Sequence, residues 1–521
     1  MHGSRMLRRG PTGERLRHEL KRLACNFAPP AVFLGKIMRT TPRHLILTLL
    51  GGVLALGLAA SASATDFLQV YQQALQHDPT YQQAYANYMA AREVRPQAWA
   101  ALLPQLTATA GKTWSHSAGD GGQIGSTAGG NFYTYNVLSS SNSDGEQWSL
   151  NLSENLFSWT AWMNLKAANS QVAQAQATYE AATQNLILRT ATAYFNVLAA
   201  VDTLQAQESS LKALTLGLTQ AKESFRVGLI AITGVEQARA ARDTAAAAVI
   251  SAKQALANAE DQLEVITGRQ YDSFAEPGAD LPLTMPNPAN QNAWVQTSLR
   301  QNLTLIASRL GADVARQNVR AAFGADIPTV SLVASRSYSS TGTNETLFGQ
   351  EFRGLGSTSN DRQIGIEFSL SLFNGGADQA RIHQTQYQAM AAQDAVEQAA
   401  RTTVQQARDA YLGVITGIAN VRALRQALTS SQTAFKATEA GYKVGTQTEV
   451  DVLNALSTLV AAQTNYATSR YNYINSLIQL RYAAGTLDPA QVATINRWLT
   501  TVIRVAPGQM TPESMTPPPA P

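Results

Sequence analysis

Leu103-Pro104-Gln105-Leu106 and Ile327-Pro328-Thr329-Val330 decide the fold, because each opens the same succession of segments about 217–224 positions apart. A strand-like run starts at each stretch, and a second run ends at Leu156-Phe157 and at Leu372-Phe373. A very long helical stretch follows in both copies and is broken at a glycine. Each copy has the order helix, strand, strand, very long helix, helix, which predicts an internally duplicated chain.

The duplication divides the chain into predicted domains. An N-terminal extension with a signal peptide comes first, a linker in an equatorial region joins the repeats, and an equatorial segment with a disordered, Pro-rich tail comes last. The predicted ranges are 1–64 for the extension and signal peptide, 65–268 and 294–485 for the two repeats, 269–293 for the linker, and 486–521 for the C-terminal segment.

The positive charge of the chain is concentrated at its start. The formal net charge is +4, but without residues 1–64 the chain has 30 basic and 34 acidic residues. This balance gives no electrostatic case for a nucleic-acid partner.

The start of the chain is typical of a secretory signal peptide. Arg39 and Arg43 precede an apolar run that ends in small residues near Ala64. Met38 is the natural initiator, so residues 1–37 are either a misassigned start or a genuine extension. The only cysteine, Cys25, precedes the cleavage site, and no disulfide framework is predicted.

Four segments alternate apolar and polar residues, as a strand with one apolar face does. Their length of about nine to eleven residues suits a tilted strand that crosses a bilayer, although a half-buried sheet of a soluble domain explains the alternation as well. Segments 115–145 and 339–361 are rich in Gly, Ser, Asn and Thr. We expect them to be long loops at one end of the sheet, which favours an outer-membrane barrel. The predicted strands are about 104–116, 146–157, 328–338 and 363–373.

The helical stretches match one another in length. Segments 160–228 and 375–443 each predict a helix of about 100 Å, and two shorter helices beside each sum to nearly that length. Apolar residues at three-four spacing within 172–186 are typical of a coiled-coil seam. The shorter predicted helices are 68–98 and 233–267 in the first repeat, and 294–324 and 448–484 in the second.

Four strands cannot form a closed barrel, which needs roughly eight or more, and open edges leave unpaired backbone groups in lipid. Three chains supply twelve strands. The predicted fold class is therefore an α+β membrane protein in which a trimeric 12-stranded β-barrel, with four strands per chain, continues into a long α-helical coiled-coil tunnel.

Several stretches together form a highly specific pattern. They are Val70–Ala74, Leu102–Leu106, Thr190–Leu198, Val227–Thr233, Glu439–Tyr442 and Val450–Leu453. With them the sequence resembles the TolC family of outer-membrane efflux proteins over nearly all of residues 66–500. The resemblance implies a homotrimer in the lipid of the cell outer membrane that extends into the periplasm. It also implies passive exit for substrates that an inner-membrane RND or ABC pump delivers through a periplasmic adaptor protein, in multidrug efflux, type I protein secretion or both.

The breaks between long and short helices are predicted to lie at the periplasmic tips, far from the strands. Gly228 and Gly445 are natural residues to follow a helix end. Thr233 with Glu236, and Thr448 with Asp451, have capping-box spacing. The expected adaptor-contact residues at the two turns are Val227, Gly228, Leu229, Val444, Gly445 and Thr446, for which simple turn geometry is the alternative explanation.

Asp451 has two interpretations. At the start of a helix it complements the helix dipole, and the family resemblance implies that three copies of it ring the entrance, where repulsion raises the pKa values and attracts a cation. The family's second Asp, three residues later, is here Asn454, so one charged ring is expected. No dedicated metal site is predicted.

The resemblance also implies an interhelical latch that is altered here. Tyr442 is retained, but its Asp partner is replaced by Gly234 and an expected Arg by Gln447. The closed state is therefore either weaker or held by Lys443, Glu439 or Glu449 instead.

No enzyme and no cofactor are predicted, because the sequence has no phosphate-binding loop or nucleophile motif and His77, His116 and His383 lack ligand spacing. The function predicted is a passive export channel. The rival is a trimeric periplasmic coiled-coil scaffold or adhesin without transport.

Overall fold

The first repeat begins with short helices and ends with two long ones. The computed structural model describes residues 65–278, 280–347 and 350–504, so the predicted signal peptide and Pro-rich tail lie outside the described residues. The elements of this repeat are α1 (Phe67–His77), α2 (Pro79–Arg92), α3 (Val94–Ala100), β1 (Gln105–Ser126), β2 (Phe132–Phe157), α4 (Trp159–Arg226) and α5 (Ile232–Thr267).

The second repeat follows the same order after a short strand. The remaining elements are β3 (Ser273–Pro277), α6 (Gln291–Gln301), α7 (Leu303–Ala322), a 3-10 turn (Phe323–Asp326), β4 (Thr329–Leu347), β5 (Gln350–Ser369), α8 (Ala377–Lys443), α9 (Glu449–Ala483), α10 (Pro489–Asn496) and β6 (Leu499–Arg504). Helices α4 and α8 have 68 and 67 residues, which corresponds to about 100 Å each. Helices α5 and α1–α3 pack along α4, and α9 and α6–α7 pack along α8.

The four longest predicted helices are confirmed to within two residues at each end, but the predictions of single helices over 68–98 and 294–324 are wrong. The first is divided at Asp78, which precedes a proline and has extended backbone angles (φ −66°, ψ 115°). The side chain of Asp78 accepts a hydrogen bond from the Tyr81 amide at 2.8 Å and caps α2. Asn302 divides the second stretch in the same way, because it caps α7 by accepting from the Leu305 amide at 3.0 Å.

The four long strands form one antiparallel sheet in the order β1-β2-β4-β5, so β2 and β4 join the two repeats. The predicted loops 115–145 and 339–361 are wrong, because strand pairing continues through most of both segments. The ladder tolerates small polar residues since their side chains bond across strands. The Oγ1 atom of Thr109 lies 2.8 Å from the Oγ atom of Ser149, and the Oγ atom of Ser143 lies 3.1 Å from the Oγ1 atom of Thr343.

One face of this sheet is apolar. Directly paired residues show this, because Leu106 faces Leu152 and Leu332 faces Ile366. On β5 the side chains of Ile364, Ile366 and Phe368 are 77%, 71% and 65% exposed, so none of the described residues covers this end of the face. Among the described residues, no helix is both long enough and apolar enough to cross a membrane.

The main core lies midway along the long helices, where a second, two-stranded sheet packs. Strand β3, in the predicted linker, pairs with β6. The buried Tyr194 of α4 donates a hydrogen bond to the Ala275 carbonyl at 2.6 Å and accepts one from the Ala275 amide at 3.0 Å. Tyr471 of α9 donates to Asp202 at 2.7 Å. These bonds attach the small sheet and the second repeat to α4.

Candidate functional site

The turn after each long helix has the same backbone geometry. After α4, Gly228 has φ +77° and its amide donates to the Phe225 carbonyl at 2.9 Å, while the Leu229 amide donates to Ser224 at 2.8 Å. After α8, Gly445 has φ +80°. The two equivalent bonds run to Tyr442 at 3.0 Å and to Gly441 at 2.9 Å. Both turns are therefore Schellman motifs, in which glycine occupies the left-handed position.

These turns present apolar side chains to solvent about 100 Å from the sheet, at the far end of α4 and α8. Val227, Leu229 and Val444 are 63%, 77% and 74% exposed, and Thr446 is also exposed. Sequence reasoning missed the exposed Ile232 and Val450, although their positions in the first turns of α5 and α9 were a usable signal. We call Val227, Leu229, Ile232, Val444 and Val450 the tip surface.

The helices that start after the two turns are capped differently. Thr448 and Asp451 form the predicted capping box, in which each side chain accepts from the other residue's amide at 2.9 and 3.3 Å. The hydrogen bonds from Thr448 hold the pKa of the Asp451 carboxyl below its usual range. The predicted box at Thr233 is wrong, because α5 begins two residues earlier with Ala231 at the N-cap and has no side-chain cap.

Gly234 of the first repeat lies beside Glu449 of the second repeat at the tip. A Cβ added to Gly234 of α5 would lie 3.3 Å from the Glu449 Oε2 atom of α9. Burial raises the pKa of the Glu449 carboxyl. Burial, and then the negative charge of Glu449, raises the pKa of Tyr442. Glu449 therefore occupies the space beside Gly234, next to Tyr442.

The other candidates have partners within their own repeat or are exposed. Glu439 and Lys443 form an ion pair at 2.7 Å along α8. Gln447 packs against Gly441 within its own turn, where an added Cβ would lie 2.7 Å from the Gln447 Cγ. Asn454 is exposed one turn after Asp451. Of the three residues named as replacements for the latch, Glu449 is the one whose side chain lies beside Gly234 of the other repeat.

A single chain contributes one Asp451, and the predicted ring requires three chains. Among the residues that the structure describes, no group of three or more His, Cys, Asp or Glu side chains could hold a metal ion.

Comparison with known proteins identifies the family. Residues 70–269 and 294–486, which lie in the two repeats, match the family described as Outer membrane efflux protein. The chain belongs to this family. It is 34% identical to the Outer membrane protein TolC of Escherichia coli over 477 residues, which cover 90% of this chain and 92% of TolC. It is 27% identical to the Alkaline protease secretion protein AprF of Pseudomonas aeruginosa over 459 residues, 87% of this chain and 91% of AprF.

Solved structures have the same fold. The CmeC outer membrane channel of Campylobacter jejuni superimposes with a TM-score of 0.64 at 19% identity, covering 82% of this chain and 89% of CmeC. VceC of Vibrio cholerae gives the same TM-score at 20% identity, covering 80% of this chain and 96% of VceC. The efflux family is a family of channels rather than enzymes, and its members are outer-membrane proteins. The chain is accordingly an outer-membrane channel for export, which argues against the scaffold or adhesin interpretation.

Proposed function

We propose that three copies of the chain form a closed twelve-stranded barrel in the outer membrane, continuous with a helical tunnel in the periplasm. The observation that carries the proposal is the four-stranded sheet with β1 and β5 at its two edges and one exposed apolar face. Unpaired strand edges are unstable in lipid, and joining β5 of one chain to β1 of the next removes all of them.

The trimer would give passive exit to substrates that an inner-membrane RND or ABC pump delivers through a periplasmic adaptor. The tip surface supports this arrangement, because it gathers exposed apolar side chains where the helices reach farthest from the sheet. Exposed apolar clusters are typical of protein contact sites. The similarity to TolC and to the protease secretion protein AprF supports both drug efflux and type I protein secretion as cargo classes.

The decisive experiment measures the purified protein in detergent. We expect a mass of three chains and discrete single-channel conductance in a planar bilayer. A stable monomer without conductance would refute the proposal. A deletion strain tested for drug tolerance and for its secreted proteins then separates the two cargo classes.

Glu449 is our candidate for the element that holds the closed state. Its carboxylate lies beside the first turn of α5, whose amide groups lack a capping side chain. A negative charge at a helix N-terminus contributes about 0.3–1 kcal/mol, and three equivalent contacts would contribute roughly 1–3 kcal/mol per trimer. The contact links α9 of the second repeat to α5 of the first. Moving the helical hairpin α4–α5 away from the helical hairpin α8–α9 would therefore break it.

Conductance of Glu449→Gln tests this assignment. We expect a larger open probability than in the wild type, since the neutral amide retains the shape of the side chain but loses the charge. Glu439→Gln is the matched control, because it removes an acid that is paired along α8 with Lys443. Equal effects of the two variants, or none from Glu449→Gln, would exclude Glu449 as the latch.

A further inference from the structure

Two arginines interrupt the apolar face of the sheet. We propose that Arg336 and Arg362 bind the phosphate of an anionic lipid in the outer leaflet of the outer membrane. The inference rests on the proposed function, in which this face contacts lipid.

The pairing register places the two guanidinium groups side by side. Arg336 on β4 is directly opposite Arg362 on β5. Arg362 has the same strand phase as Ile364, so both arginines are on the apolar face. Opposed residues have Cβ atoms about 4.5–5.5 Å apart, and two guanidinium groups at this spacing can hold one phosphate from both sides. Like charges in this position are unfavourable unless an anion lies between them.

No acid of the sheet neutralises the pair. Within the part of the chain that the structure describes, neither arginine forms an ion pair. Leu150 completes the same row on β2. Glu146 and Glu154 lie four residues from it in either direction, or roughly 13 Å along the strand. The phosphate of the lipid would supply the negative charge that the described residues of this chain do not.

Lys112 provides the contrast. It has the same phase on β1 as Leu106 and thus shares the apolar face. Its Nζ atom lies 2.7 Å from Glu146 and 3.7 Å from Asp144. The fold therefore neutralises one cation of this face with two acids and leaves the arginine pair without one.

The position along the strands matches the boundary of a bilayer. From Leu370 to Arg362 the chain advances eight residues, or about 27 Å of extended strand, and a strand tilt of about 35–45° reduces the height spanned to about 19–22 Å, which is most of the roughly 25 Å of a lipid-facing apolar band. Helix α8 follows the Leu370 end, so the arginines lie at the end away from the periplasm. A charged residue on a lipid-facing surface costs much less near the interface than at the midplane.

Aromatic side chains mark the same level. Trp148 and Tyr338 are opposite each other in the next row outward and stack with ring centroids 6.3 Å apart. The Arg336 Cζ atom lies 5.7 Å from the centroid of the Trp148 ring. Aromatic residues form belts at membrane interfaces, and the cation–π contact orients one guanidinium of the pair.

Lipid binding to the purified full chain tests the proposal. Native mass spectrometry would compare dioleoyl phosphatidic acid with dioleoylglycerol, which differ only in the phosphate. We expect selective retention of phosphatidic acid. Each guanidinium contributes on the order of fivefold to binding at a membrane surface, so Arg336→Gln with Arg362→Gln should weaken it about 25-fold. Arg362→Gln alone, at an exposed edge position, should weaken it roughly fivefold and serves if the double variant does not fold.

Lys112→Gln is the matched control, because it removes one cation of the same face that already has acidic partners. Equal loss of phosphatidic acid in this control, or equal retention of both lipids by the wild type, would overturn the proposal. Displacement by inorganic phosphate at matched concentration would also overturn it, in favour of a soluble anion. Conductance of the same preparations separates the lipid site from the proposed channel function, since a conducting channel without lipid selectivity refutes only the lipid site.

Discussion

Replacing Gly228 or Gly445 with alanine should loosen the tip turns by a magnitude that follows directly from the backbone. Both residues have φ near +80°, and an added Cβ would meet no atom within 4 Å at either position. The substitution thus brings strain without a clash. A left-handed residue other than glycine costs roughly 1–2 kcal/mol, which corresponds to a factor of about 5–30 in a local opening equilibrium.

Gly217 supplies a matched control on the same helix. It lies inside α4, about three turns before the tip, and an added Cβ there also meets nothing within 4 Å. The same change should stabilise the helix by about 0.5–1 kcal/mol, because alanine is the better helix former. The same glycine-to-alanine change is therefore expected to destabilise the turn at Gly228 and to stabilise the helix at Gly217.

Amide hydrogen exchange followed by mass spectrometry is the assay. Peptides that contain the Gly228 and Leu229 amides, bonded at 2.9 and 2.8 Å, should exchange about 5–30 times faster in Gly228→Ala. Peptides near Gly217→Ala should exchange no faster than in the wild type. Unchanged protection in Gly228→Ala would show that the left-handed backbone does not limit the turn, and faster exchange in Gly217→Ala would refute the strain argument.

Three further predictions test single contacts within the fold and at the start of α9. Gly485→Ala should destabilise the fold by more than the roughly 1–2 kcal/mol of left-handed strain, since the added Cβ would clash with the Gln301 carbonyl oxygen; a thermal midpoint equal to the wild type would contradict this. Arg189→Met should lower the free energy of unfolding, measured with denaturant, by about 3–5 kcal/mol, because it leaves Asp78, its partner at 2.9 Å, buried without a counter-charge. The isosteric Asp78→Asn change in the same background should recover part of this loss. Asp451 has a lowered pKa, so its stabilisation of α9 is present at neutral pH and is lost as the pH falls below about 4. Asp451→Asn should remove this acid dependence from amide hydrogen exchange in the first turn of α9. An unaltered dependence in the variant would assign the titration to another group.

The long helices were predictable because their ends carry local signals. Gly228 and Gly445 end α4 and α8, and Thr448 caps α9. The same signals at Asp78 and Asn302 were overlooked, since apolar periodicity continues across both. An Asp before a proline is a helix-stop signal that outweighs such periodicity, because the residue that precedes a proline is forced out of the helical region of backbone angles.

The extent of the sheet was not predictable from composition. Gly-, Ser- and Asn-rich segments usually form loops, yet here they extend a hairpin whose backbone bonds do not depend on side-chain type. The pairing of β3 with β6 joins segments more than two hundred residues apart, and neither five- nor six-residue strand has a distinctive pattern. The pairing of Arg336 with Arg362 likewise depends on register, which alternation within one strand does not give.

The returning helices of the two repeats start differently at the tip. The second repeat starts its returning helix with a full capping box at Thr448, whereas the first starts at Ala231 with no side-chain cap. The first turn of α5 therefore receives no hydrogen bond from a capping side chain of its own repeat. Glu449 approaches that turn from the other repeat, and the absence of a side chain at Gly234 leaves the space for it. An acid in place of Gly234 would occupy this space and repel Glu449, so the junction beside Tyr442 has room for an acid on α5 or for an acid on α9, but not for both.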